Sequence, residues 1–73
     1  MHEDKQTKFK RLAKQRGERI LKDLRLLSNL SNTNNYSFTE QDVRKLFAAL
    51  EDEMKYARSQ FQKTISRHRE IDI

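Results

Sequence analysis

"VRKLFAALEDEMKYARSQFQKTISRH", residues 43–68, decides the fold. Val43, Leu46/Phe47, Leu50, Met54, Ala57, Phe61, Thr64/Ile65 and His68 are separated by alternating steps of three and four. That spacing holds side chains on one side of a helix of 3.6 residues per turn. Glu40/Arg44 and Glu51/Lys55 have the i, i+4 order with the acid first, each adding about 0.2–0.5 kcal/mol to a solvated outer face.

Immediately upstream, "FTEQDV" (residues 38–43) contains the elements of a helix start. Thr39 is placed to cap, and Asp42 stands at the third helical position as a short version of the capping-box acid. Phe38 before the cap and Val43 at the fourth position form a hydrophobic staple. A helix over about residues 40–68 follows.

Further upstream, Phe9, Ala13, Gly17, Ile20, Leu24 and Leu27 are spaced by 4, 4, 3, 4 and 3, with Leu21 widening the face. This predicts a first helix over about residues 5–28. Gly17 costs about 1 kcal/mol relative to Ala in mid-helix, and on the stripe it admits close approach of another helix. Asn29 is expected to close this helix in the left-handed conformation, with Leu30 packing back on the last turn.

Between the helices lies a polar connector, residues 29–38, slightly long for a helix pair. Its asparagines suit turns, so the hinge reading is preferred to ligand contact. Asn34, Asn35 and Tyr36 are the candidates for the latter. The expected architecture is all-α, an antiparallel helical hairpin of one domain (1–73) with frayed ends at 1–4 and 70–73.

At 1.5 Å per residue the helices would be about 36 Å and about 44 Å long. The unmatched end of the second, from about Phe61 to Ile73, would then leave Phe61, Ile65, Ile71 and His68 exposed in a lone hairpin. A chain of 73 residues rarely buries enough surface to fold strongly alone. With no Cys there is no disulfide or thiolate site, and His2 and His68 are isolated. Homodimerisation into a four-helix bundle is therefore expected, with Phe9, Ala13, Gly17, Ile20, Leu24, Phe47, Leu50, Met54, Phe61 and Ile65 as the candidate dimer or partner interface.

Composition agrees with helices: no Pro, one Gly and 37% charged residues. Disorder competes, given a mean hydropathy of -1.08, and the two stripes decide against it. No apolar run approaches a membrane span, and "MHEDKQTKFKRL" lacks the apolar core of a secretory signal, so a cytoplasmic location is expected. Without such a signal the triplets Asn29-Leu30-Ser31 and Asn35-Tyr36-Ser37 read as chance matches to the glycosylation pattern.

Charge is asymmetric. Residues 1–28 contain nine Lys/Arg against four acids, residues 29–73 seven of each, so the whole net charge of +5 belongs to the first segment. Lys8, Arg11, Arg19 and Lys22 share a helical face opposite the apolar stripe, flanked by Lys14 and Arg25. The bland reading is a solvated face of good helix formers. The functional one is a ridge for phosphate backbones or an acidic protein. A base-reading helix-turn-helix needs a short turn and usually a third helix, so contact would be through the backbone and salt-sensitive. A membrane-surface helix ranks lower, because the apolar face carries Ala and Gly and no Trp.

Catalytic chemistry finds no support. Ser and Thr lie mostly in the connector without a placed histidine, Glu51, Asp52 and Glu53 point in different helical directions, and no glycine-rich phosphate loop occurs. A non-enzyme without metal or cofactor is expected.

Residues 9–61, with Leu30-Ser31-Asn32 followed by Phe38-Thr39, resemble short, basic, uncharacterised all-helical proteins of bacterial genomes and mobile elements. The resemblance implies a bacterial, phage or plasmid setting and no activity, cofactor or functional residue. Two functions then compete. One is an interaction module that docks on and regulates a macromolecular partner, a phage- or plasmid-borne inhibitor of a nuclease or polymerase being a special case. The other is a nucleic-acid-associated protein using the basic face of the first helix.

Overall fold

The computed structural model describes residues 3–69, with side chains described as far as residue 67. The fold is all-helical: α1 spans Lys5–Ser28, a 3₁₀ turn spans Asn29–Ser31 and α2 spans Glu40–Arg69. No strand occurs among the described residues. Met1, His2, residues 70–73 and the side chain of His68 lie outside the description, and with them the expectations placed on Ile71, His68 and the frayed ends, except at Glu3 and Asp4. The chain divides into two units, one ending at Ser37 and one beginning at Phe38.

In the first unit, Asp4 is the N-cap of α1, in extended conformation, its carboxylate accepting from the Thr7 N–H at 2.7 Å. That bond satisfies one of the amides a helix start leaves without a partner, and it holds the Asp4 carboxyl below its ordinary range. Glu3 reaches along the first two turns to Arg11, with both carboxylate oxygens 2.9 Å from the guanidinium nitrogens.

The end of α1 corrects one expectation. Asn29 has φ -65° and ψ -19°, right-handed and not left-handed, and no described residue has positive φ. Its N–H is shared among the carbonyls of Arg25, Leu26 and Leu27, and the helix tightens into the 3₁₀ turn. A 3₁₀ turn satisfies terminal carbonyls with right-handed backbone, whereas the left-handed region is strained for any residue with a Cβ, Asn included. The Ser28 hydroxyl adds a bond to the Arg25 carbonyl at 2.7 Å.

After the turn, Asn32 is extended, at φ -71° and ψ 102°. Its side chain accepts from the Asn34 N–H at 3.0 Å, and its carbonyl accepts from the N–H groups of Asn35 and Tyr36 at 3.2 and 3.0 Å. One asparagine thus organises the bend, the turn chemistry expected of this segment.

The second unit opens as its sequence requires. Asp42 N–H donates to Thr39 Oγ1 at 3.0 Å and Thr39 N–H donates to an Asp42 carboxylate oxygen at 2.9 Å, a reciprocal capping box. The Thr39 carbonyl accepts from Val43 N–H at 3.2 Å, the first helical bond. Glu40 and Arg44 form the expected ion pair at 3.0 Å, with both side chains largely exposed. Glu51 and Lys55 do not close into one, consistent with the small and easily screened value of such pairs.

Candidate interaction surfaces

No described residue is buried. Along α1 the apolar stripe is solvent-exposed at Phe9, Ala13, Ile20 and Leu24, and half-buried at Gly17 and Leu27. A Cβ built on Gly17 meets nothing within 4 Å among the described residues. Along α2, Phe47, Leu50, Met54, Phe61 and Ile65 are all exposed, from 36% at Leu50 to 56% at Met54 and Phe61.

Two hydroxyls of α2, that of Thr64 on the stripe and that of Ser59 on the opposite face, are satisfied within the helix. Thr64 Oγ1 donates to the Gln60 carbonyl at 3.3 Å and Ser59 Oγ to the Tyr56 carbonyl at 2.7 Å. Thr64 therefore brings no orphaned donor to the stripe, so covering it carries little polar penalty.

The basic face of α1 is altered in one respect by the structure. Lys8, Lys14, Arg19, Lys22 and Arg25 are exposed, but Arg11 is engaged bidentately by Glu3. Their hydrogen bonding holds the Glu3 carboxyl low and raises the already high pKa of the Arg11 guanidinium. Arg11 is thus partly neutralised within the ridge. Sequence spacing did not reveal this pair, because the residues are eight apart and Glu3 precedes the helix.

Two apolar residues of α1 escaped the stripe. At about 100° per residue, Leu12 falls some 40° from Lys8 and Leu26 falls in line with it. Leu12 is half-buried and Leu26 exposed. The basic face is therefore interrupted by aliphatic side chains, a pattern that the spacing of Leu12 and Leu26 from Lys8 already carries in the sequence.

Of the connector candidates, Asn34 and Asn35 use their backbone N–H groups in the turn, and Tyr36 is 48% exposed. No group of metal-ligating side chains occurs among the described residues, and none of their helices is long and apolar enough to cross a membrane. No family model, curated protein or solved structure matches the chain.

Proposed function

We propose that this chain is a non-enzymatic helical interaction module. Its two helices fold back as an antiparallel hairpin, a second copy completes a four-helix bundle, and the assembly docks on and regulates a macromolecular partner. The exposed three-and-four stripe of α2, with no buried described residue in the chain, carries this reading. Helices this polar on one face and apolar on the other gain most of their stability from tertiary packing, so the stripe needs an occupant.

Light scattering after gel filtration tests the dimer. A dimeric mass at tens of micromolar is expected, and a monomer that unfolds cooperatively would overturn it. Affinity capture, with and without nuclease, tests the docking role: partners retained after nuclease support it.

A second reading is favoured by the charge distribution, with the whole excess of +5 in the first 28 residues. In it, Lys8, Lys14, Arg19, Lys22 and Arg25 contact phosphate backbones. Duplex affinity would then fall with salt at a log-log slope near -0.9 per neutralised phosphate. Changing Lys8, Arg19 and Lys22 to Gln should flatten that slope by about 3 units, and Arg11→Gln alone should change it less, because Glu3 already holds Arg11. Absence of binding at low salt removes this reading.

A further inference from the structure

Resting on the dimer reading above, we infer that α2 pairs with α2 of a second copy in antiparallel orientation, centred on the peptide bond between Lys55 and Tyr56. The stripe of α2 is a heptad repeat in which Phe47, Met54 and Phe61 occupy one core position and Val43, Leu50, Ala57 and Thr64 the other. The outward heptad position is polar throughout, with Lys45, Asp52, Ser59 and Ser66.

The two core positions differ in size, and only one orientation matches them. With the helices antiparallel about that centre, Phe47 faces the partner's Thr64, Met54 faces the partner's Ala57, and Phe61 faces the partner's Leu50. Each layer therefore sets a long or aromatic side chain against a smaller one, the alternation that fills a core evenly. A parallel pair would stack each residue on itself. Phe47 on Phe47 and Phe61 on Phe61 would be crowded, while Ala57 on Ala57 would leave a gap, and both faults are destabilising.

Charge selects the same arrangement. The positions flanking the seam bring Glu51 beside the partner's Arg58, and by symmetry Arg58 beside the partner's Glu51. Arg44 and Arg67 fall beside the partner's Ile65 and Leu46, where arginine stems can cover aliphatic groups while the guanidinium stays in water. No like-charged pair faces across the seam. Antiparallel helices also oppose their macrodipoles favourably. The Thr64 hydroxyl, bonded to Gln60 of its own helix, enters the layer already satisfied.

The chain has no cysteine, so single cysteines carry nitroxide labels without background. Labels at Lys45→Cys and Asp52→Cys in the full-length protein lie on the outward face. In the proposed pair, equivalent positions are displaced along the axis by about 32 Å at residue 45 and about 11 Å at residue 52, from 1.5 Å per residue. Pulsed electron paramagnetic resonance should therefore give a longer distance at 45 than at 52, by roughly 10 Å. Equal distances would mean a parallel pair and overturn the inference while leaving the dimer reading intact. A monomeric mass with no intermolecular signal would overturn both. Independently, Glu51→Lys and Arg58→Glu should each weaken the dimer by roughly tenfold in sedimentation equilibrium, and the double variant should restore it. A double variant no tighter than either single would overturn the proposed register.

Discussion

Thr39 and Asp42 each satisfy the other's backbone N–H at the start of α2. Thr39→Ala is expected to lower stability by about 0.5–2 kcal/mol, measured by urea unfolding. The same geometry sets a pH dependence. Hydrogen bonds from Thr39 hold the Asp42 carboxyl below its ordinary value of 3.8, and bonds from Thr7 do the same for Asp4. A carboxyl depressed in the folded state binds fewer protons there than in the unfolded chain. Its contribution is fully present above the unfolded value and is lost as pH falls through the folded one. Helix content by circular dichroism should thus decline only as pH falls below the ordinary carboxylate range, through the lowered folded-state values of Asp42 and Asp4. Asp42→Asn should start lower at neutral pH and decline less. At Gly17 nothing crowds a Cβ, so Gly17→Ala should raise stability by about 1 kcal/mol through helix propensity. A fall in stability would show that close approach of another helix needs the glycine.

At the scale of the element, α2 was legible almost to the residue. Its stripe, its cap and its first ion pair are all local patterns within one turn or one face, and local patterns survive without knowledge of the rest of the chain. The end of α1 was less legible. Asparagine suits both a left-handed closure and a 3₁₀ turn, and the choice depends on which carbonyls the terminal N–H groups reach: here Asn29 N–H is shared among Arg25, Leu26 and Leu27, and Asn32 N–H reaches the Asn29 carbonyl. Asn29→Ala distinguishes the two. With Asn29 right-handed, Ala is the better helix former and stability should rise by about 0.5 kcal/mol in thermal unfolding. A left-handed Asn29 would instead make Ala costly. The basic face was legible as a set of positions, but the state of Arg11 was not, because Glu3 belongs to the segment before the helix.

For the whole molecule, the exposed stripes make association the expected source of stability. A dimer coupled to folding is stabilised by mass action, so its Tm should climb with protein concentration. Differential scanning calorimetry across a hundredfold concentration range checks this, and a constant Tm would argue for stability within one chain. The sequence by itself determined that the chain is two helices, where α2 begins and which faces are apolar or basic, because spacing, capping chemistry and charge act over a turn or two. Only the tertiary structure decided that α1 ends in a right-handed 3₁₀ turn, that Asn32 organises the bend and that Glu3 occupies Arg11. Those outcomes depend on which donor meets which acceptor once the backbone has turned, and several pairings are equally compatible with the order of residues along the chain.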